Sequence, residues 1–215
     1  MRSLNNNLQE FLKNIKWYCQ SSILIQYQGK NIYIDPWKVP SNQPKADFIL
    51  VTHSHFDHLS LEDINKIKDD TTKVIIPSSL KNEVPMPVIT MDPGDENEYD
   101  NIKIKAIPAY NLNKEYHPRN NNWLGYIVTV GDIRILHTGD TDAVPELKTL
   151  EHIDIAFVPV GGTYTMTAKE AAKIVNIFKP KLAIPFHWGD VVGSEEDAIL
   201  FKELANVPVI ILERV

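Results

Sequence analysis

The sequence predicts an α/β protein in which two β-sheets pack face to face and helices cover their outer faces. Two observations support this fold class. Short apolar runs of the buried-strand kind alternate along the chain with helix signatures. In addition, the run 47–51 has the same pattern as the run 154–158, and the helix N-cap predicted at Ser60 has a counterpart at Thr167, both 107 positions later. Two similar β-plus-α halves are typical of stacked sheets with helices outside.

The two halves are expected to form one unit. We predict a single domain over 1–215, with similar halves at about 17–107 and 123–215. A length of 215 residues, with 43% hydrophobic and 23% charged residues, is ordinary for a globular chain that buries one core. The seam between the halves is then the natural place for a functional site.

Four elements are predicted before the first polar cluster. A short helix is predicted over 8–15. Alternation over 22–27, a turn at Gly29 and a second apolar run over 31–34 predict a β-hairpin. The continuous apolar run 48–51 is typical of a short buried strand.

The first half continues with a helix and two strands. Ser60 as N-cap, with Asp63 three residues later, predicts a helix over 60–67 whose apolar residues share one face. The run 74–76 predicts a strand. Apolar residues alternate with lysines over 102–106, which predicts a strand with one face toward solvent.

The second half repeats this plan. A hairpin is predicted from strands 126–130 and 133–136, followed by a strand at 154–158, a helix capped by Thr167 and a strand at 182–185.

A histidine-rich turn follows the strand that ends at position 51. In an extended chain His53 and His55 point the same way, because side chains alternate with period two. The chain then bends into the helix capped by Ser60, which brings Asp57 and His58 back over the same place. Imidazoles suit zinc, and the carboxylate suits a second metal or a proton. The turn therefore predicts a metal site.

Two later strand ends supply further candidate ligands. Asp140 follows the strand 133–136, and Gly139 before it allows a tight turn. A carboxylate has two oxygens and is able to bridge two cations. His187 ends the strand 182–185, where the repeated plan predicts a site.

The run His53-Ser54-His55-Phe56-Asp57-His58 resembles the His-x-His-x-Asp-His signature of metallo-β-lactamase-fold hydrolases. Asp35, the Gly139-Asp140-Thr141 turn and His187 follow the order of that fold. The runs 159–166 and 185–187 are similar to the branch that contains ascorbate-6-phosphate lactonase and other small metal-dependent hydrolases.

The resemblance implies an αββα sandwich of two mixed sheets with a site for two divalent metal ions, most consistent with zinc, and with manganese or iron as alternatives. It also implies a role for each residue. His53 and His55 would bind one metal; Asp57, His58 and His187 would bind the other; Asp140 would lie between them; and Asp35 would hold the histidine turn from behind.

This chain departs from the family pattern after the strand 102–108. The family has a histidine where this chain has Asn111, and the next histidine is His117. Because asparagine is a poor zinc ligand, we expect the loop to fold back so that His117 completes the first metal site. Ligation by Asn111 or water, and His117 as a general acid or an exposed loop residue, remain alternatives.

Three side chains are candidate contacts for a substrate. Asn111 follows the strand 102–108, Tyr164 lies beside a glycine pair, and Trp188 follows His187. Ordinary packing is the alternative for the two aromatic side chains.

The resemblance implies a metal-dependent hydrolase. A metal-bridging hydroxide would attack an ester, lactone or phosphodiester bond of a small, anionic substrate, and Asp57 would accept its proton. Other functions remain open. A nuclease of this fold would need a basic face, which an acidic chain disfavours. A di-iron redox protein of this fold usually carries a flavin domain, for which 215 residues leave no room. The intact Asp57 disfavours a non-catalytic metal-binding module.

The composition disfavours several classes of binding partner and of site. Lys+Arg number 22 against 28 Asp+Glu, and the net charge of −6 disfavours nucleic acid as a partner. The one cysteine, Cys19, excludes an intramolecular disulfide and a site built from several cysteines. No apolar run approaches the roughly 20 residues of a membrane span, and the polar N-terminus does not match a signal peptide. We expect a cytoplasmic protein with a small-molecule substrate, as a monomer or a homo-oligomer.

Overall fold

The structure, a computed structural model, describes residues 6–215. It contains two six-stranded sheets, as predicted, and four α-helices within that range. The strands are β1 Ile15–Cys19, β2 Ser22–Tyr27, β3 Lys30–Ile34, β4 Phe48–Leu50, β5 Lys73–Pro77, β6 Ile89–Met91, β7 Glu96–Tyr99, β8 Ile102–Pro108, β9 Leu124–Val130, β10 Ile133–His137, β11 Ile155–Pro159 and β12 Leu182–Phe186. The α-helices are α1 Asn6–Leu12, α2 Leu61–Ile67, α3 Ala168–Phe178 and α4 Glu195–Leu204.

The two sheets have related strand orders. The first sheet runs β1-β2-β3-β4-β5-β6, and the second runs β12-β11-β10-β9-β8-β7. In the first sheet the β2–β3 hairpin is followed by parallel β4 and β5. In the second sheet the β9–β10 hairpin is likewise followed by parallel β11 and β12. This shared order agrees with two similar halves, although the duplication itself stays a prediction.

The helix caps form as the sequence predicts. The hydroxyl of Ser60 accepts a hydrogen bond from the backbone N–H of Asp63 at the start of α2. Thr167 and Glu170 form a reciprocal capping box at the start of α3. Each cap satisfies backbone donors that have no partner within the helix.

Some elements differ from the prediction. The helix expected over 8–15 ends at Leu12, and the chain from Ile15 forms β1 instead. Burial explains the difference, because Ile15 and Trp17 enter the main core in a strand that pairs with β2. The strands β6 and β7 and the helix α4 were not predicted.

The two sheets are joined directly beneath the histidine-rich turn. The phenol of Tyr126 on β9 donates a hydrogen bond of 2.7 Å to the carbonyl of Val51, just after β4. The backbone N–H of Leu124 donates to the carbonyl of Thr52 at 3.0 Å. These bonds link the strand ends that carry the site. Over residues 6–215, no helix combines the length and the apolar character that crossing a bilayer requires.

Candidate metal centre

The candidate site forms where strands from both sheets end. Asp35 follows β3, the turn 52–58 follows β4, Asp140 follows β10 and His187 follows β12. The pairs β3–β4 and β11–β12 are parallel, so their carboxyl ends lie at one edge. The loop after β8 adds His117 to the same place.

The structure brings the seven predicted metal-ligating residues together in three groups of three; two of these share no residue, and the third joins His53, His58 and Asp140 across them. Within each group, one ligand atom per residue lies within 4.8 Å of the other two. The first group is His53, His55 and His117, and the second is Asp57, His58 and His187. All but the half-buried His55 are buried.

Asp140 contacts histidines of both groups. Its Oδ2 lies 3.0 Å from Nε2 of His187 and 3.3 Å from Nε2 of His117. Its Oδ1 lies 3.4 Å from Nε2 of His58. Because a carboxylate has two oxygens with several lone pairs, a carboxylate in this position is able to bridge two cations.

The spacing of the donor atoms fits a metal centre better than direct hydrogen bonding. Four nitrogen–oxygen separations are 3.3–3.6 Å, longer than the usual hydrogen bond of about 2.9 Å. Two separations are shorter: Nε2 of His187 lies 3.0 Å from Oδ2 of Asp140, and Nε2 of His53 lies 3.0 Å from Nδ1 of His55. Two ligands held at about 2.0–2.1 Å by one tetrahedral ion stand roughly 3.3 Å apart. The four longer separations therefore match the spacing of two ligands on one ion.

Buried polar atoms without partners support the same fit. Nε2 of His58, His117 and His187 and Oδ1 of Asp140 make no hydrogen bond within residues 6–215. All four side chains are buried. Because buried polar atoms are normally paired, atoms that converge without partners are suited to a cation.

Asp35 and Thr52 hold two of the histidine rings from outside the groups. Oδ2 of Asp35 lies 2.7 Å from Nδ1 of His58 and accepts the hydroxyl hydrogen bond of Thr52 at 2.7 Å. The same hydroxyl lies 3.0 Å from Nδ1 of His53. A hydrogen on Nδ1 leaves the lone pair on Nε2, which is the usual orientation of metal-binding histidines.

His117 lies with the candidate ligands, and Asn111 contacts it directly. His117 is completely buried, so the exposed-loop alternative is wrong. Oδ1 of Asn111 accepts the backbone N–H of His117 at 2.9 Å and lies 3.0 Å from its Nδ1. Nδ2 of Asn111 donates to the carbonyl of Tyr164 at 2.9 Å. The amide thus holds the His117 loop, and contact of Asn111 with a substrate stays a prediction.

Two glycines allow close backbone approach at the site. Gly139 has φ +63°, and a Cβ there would lie 2.6 Å from the carbonyl oxygen of Leu124. A Cβ at Gly161 would lie 2.5 Å from the carbonyl oxygen of His187. Only glycine fits these positions without displacing Asp140 or His187.

Carboxylates dominate the electrostatics of the second group. Burial disfavours charge on His187, yet Asp140 and Asp57 raise its pKa to about 9. Burial also opposes charge on His58, but Asp140, Asp35 and Asp57 raise its pKa well above the ordinary value. The converging carboxylates therefore attract positive charge to a buried place, as a cation site requires.

Trp123 is a part of the site that the sequence analysis missed. Its ring centroid lies 4.8 Å from that of His53, 5.1 Å from that of His55 and 5.6 Å from that of His117. It is buried just before β9 and forms one wall of the first group. In the sequence, a tryptophan ahead of an apolar strand has no feature that separates it from an ordinary core residue.

The other two predicted substrate contacts have different surroundings. Tyr164 is half-buried, and its ring meets the ring of Tyr116 edge-on at 4.7 Å. The Trp188 ring packs 4.9 Å from that of Trp17, and its Nε1 donates to the carbonyl of Pro185 at 3.2 Å. Trp188 therefore contributes to core packing, and its place in a pocket wall stays a prediction.

Comparisons with known proteins agree with this geometry. Residues 14–187 match a family model described as the beta-lactamase superfamily domain. A UPF0173 protein of Pyrococcus abyssi is 33% identical over 85% of this chain and 87% of the relative. A UPF0173 metal-dependent hydrolase of Thermoplasma acidophilum is 32% identical over 82% of this chain and 84% of the relative.

A solved structure is also similar over most of its length. The crystal structure of a protein from Parabacteroides distasonis, described as a metal-dependent hydrolase, has a TM-score of 0.85 and 34% identity. The match covers 94% of this chain and 93% of that one. The narrower likeness to the ascorbate-6-phosphate lactonase branch stays a prediction. The chain belongs to the β-lactamase superfamily and, within it, to the UPF0173 metal-dependent hydrolases.

Proposed function

We propose that this hydrolase uses a dinuclear centre built from the two groups, with Asp140 between them. The observation that carries the proposal is that the two Asp140 oxygens lie 3.0–3.4 Å from Nε2 of His187, His117 and His58, which belong to both groups. Zinc suits the mixed imidazole and carboxylate donors, and manganese and iron are the alternatives.

Asp57 is the proposed catalytic residue. Two divalent ions would lower the pKa of a coordinated water and polarise the bond to be cleaved. Asp57 is buried, and its Oδ2 lies 3.6 Å from Nε2 of both His58 and His187. Burial opposes its charge, but these histidines outweigh burial and lower the pKa of the carboxyl group. An ionised carboxylate in this place is able to orient the attacking water and to accept its proton.

The proposed reaction is hydrolysis of an ester, lactone or phosphodiester bond in a small molecule. Each of these bonds has an oxygen that a cation polarises and a leaving oxygen that a cation stabilises. Asp35 and Thr52 have a positioning role, because they hold the rings of His53 and His58 while the Nε2 atoms face the centre.

Metal analysis combined with an activity screen tests the proposal. The purified protein is expected to bind about two equivalents of zinc, manganese or iron and to hydrolyse at least one of a set of chromogenic esters, lactones and phosphodiesters. His58→Ala should lose metal and activity, while His152→Ala, a change at an exposed histidine, should lose neither. Absence of metal after reconstitution with all three ions would rule out the proposed centre.

A further inference from the structure

Four of the eight exposed large apolar side chains of residues 6–215 lie on the segments that carry the candidate metal centre. Phe56, Leu112, Tyr116 and Val191 are all large, hydrophobic and exposed. Phe56 lies inside the histidine-rich turn, and the other three lie within four residues of Asn111, His117 or His187. Exposed apolar side chains scattered singly need no explanation, whereas a group beside a site indicates binding of apolar surface.

Phe56 and Tyr116 each pair with a half-buried aromatic residue, and we name these four residues the aromatic rim. Trp37 and Phe56 meet edge-on with ring centroids 5.7 Å apart. Tyr116 and Tyr164 meet edge-on at 4.7 Å. Phe56 is 65% exposed and Tyr116 is 48% exposed, so much of their ring surface faces solvent.

Chain connectivity places one residue of each aromatic pair next to a ligand of the first group. Phe56 lies between His55 and Asp57, and Tyr116 directly precedes His117. Consecutive Cα atoms are about 3.8 Å apart, and the rings of His55 and His117 are themselves only 5.0 Å apart. The backbone of Phe56 and that of Tyr116 therefore lie beside the His55–His117 pair, each carrying an exposed ring.

The basic side chains on the same segments already have acidic partners. Lys38 Nζ lies 2.7 Å from Asp190 Oδ1 and also lies over the Trp37 ring at 4.3 Å. Lys114 pairs with Asp142. Arg119 pairs with Glu146 at 3.0 Å. A carboxylate or phosphate on the substrate, away from the bond that is cleaved, would have to compete with these carboxylates.

We propose that the substrate carries an uncharged apolar group, an acyl chain or an aromatic ring, beside the bond that is hydrolysed, and that this group packs on the aromatic rim. The inference rests on the proposed function, because it takes the metal centre as the place of reaction. It also replaces the anionic substrate that the family resemblance implies. Aromatic side chains bury a large apolar area and so supply affinity without charge.

Binding of three hydroxamic acids to the metal-loaded protein, measured by titration calorimetry, tests this proposal without any turnover. The hydroxamate head binds metal in each case, while the tails differ: acetohydroxamic acid, hexanohydroxamic acid and the monohydroxamic acid of adipic acid, which ends in a carboxylate. Each buried methylene gives roughly a four-fold gain in affinity. Hexanohydroxamic acid is therefore expected to bind at least about ten-fold more tightly than acetohydroxamic acid, and the adipic derivative less tightly than hexanohydroxamic acid.

Variants of the aromatic rim test whether it causes the preference for the apolar six-carbon tail. The ratio compared is the affinity for hexanohydroxamic acid divided by the affinity for acetohydroxamic acid. Phe56→Ser and Tyr116→Ser should each reduce this ratio by three-fold or more, while the metal content stays unchanged. Ile177→Ser is the matched control, because Ile177 is 51% exposed on α3 and belongs to neither aromatic pair; its ratio should equal that of the wild type.

The possible failures are distinguishable. Equal affinities for the aceto and hexano compounds, or a ratio that neither rim variant changes, would overturn this inference and leave the proposed metal centre standing. Tighter binding of the adipic derivative would assign the site to an anionic substrate and would also overturn it. No binding of any hydroxamate would overturn the metal centre and this inference together.

Discussion

Oδ1 of Asn111 lies 3.0 Å from Nδ1 of His117 and accepts the backbone N–H of the same residue at 2.9 Å. A hydrogen on Nδ1 directed at this oxygen leaves Nε2 of His117 free, and Nε2 lies 3.3 Å from Asp140. One amide therefore sets both the position and the tautomer of the histidine. Asn111 stands where the resemblance predicts a histidine, and its amide instead holds His117 among the candidate ligands.

Asn111→Ala is expected to weaken binding of one metal equivalent by about ten-fold or more, because loss of an outer contact to a ligand typically weakens metal binding 10–100-fold. Titration with zinc in the presence of a competing chelator would measure this affinity. Asn113→Ala is the matched control, an exposed asparagine in the same loop that should bind metal like the wild type. Unchanged metal affinity in Asn111→Ala, together with a raised KM, would instead show that Asn111 contacts the substrate.

His117→Ala is expected to remove one metal equivalent or to weaken it by more than Asn111→Ala does. The change leaves the first group with His53 and His55, while the second group keeps its three residues. Elemental analysis after gel filtration, with His152→Ala as the control, would measure the loss. Full metal content combined with lost activity would instead assign proton transfer to His117.

Most of the site could be predicted because its ligands follow strands directly. His53, His55, Asp57 and His58 fall within six consecutive residues after a buried strand, so local alternation and one helix cap suffice to bring them together. Asp140 likewise follows β10 after the tight turn at Gly139.

The rest of the site depends on the fold of one long loop. Between β8 and β9, backbone bonds such as Asn111 N–H to the His117 carbonyl, 2.8 Å, fold the chain back on itself. No periodic pattern encodes this path, so the contacts of Asn111 and Trp123 could not be predicted. The β1 strand was missed for a related reason, because its form follows from burial of Trp17 against the core and not from local preference.

Asp57→Asn is expected to lower kcat by at least about a hundred-fold, within the usual range for loss of a general base. One metal equivalent should remain, because the first group and Asp140 are untouched. Asp132→Asn, at the exposed turn after β9, is the matched control. The measurement is kcat on the best substrate of the screen together with metal content. Near wild-type turnover would place the proton acceptor elsewhere.

Gly139→Ala is expected to destabilise the protein and to lower its metal affinity. Gly139 has φ +63°, and a new Cβ would lie 2.6 Å from the Leu124 carbonyl oxygen and 3.3 Å from Cβ of Thr52. A left-handed backbone costs a non-glycine residue roughly 1–2 kcal/mol, and overpacking typically adds about 1–3 kcal/mol. Because neither contact atom belongs to the end of a flexible side chain, the backbone before Asp140 must shift.

Gly29→Ala separates the backbone cost of the positive φ from the cost of overpacking in the expected loss of stability of Gly139→Ala. Gly29 has φ +79° and nothing within 4 Å of a new Cβ, so this variant should lose only the backbone contribution and should keep its metal. Urea unfolding of the metal-free proteins would give the free energies of unfolding, and zinc titration would give the affinities. Gly139→Ala should be less stable than Gly29→Ala by about 1–3 kcal/mol. Equal stabilities and equal metal affinities would show that the turn relaxes without moving Asp140, and that the close approach to Leu124 does not position this aspartate.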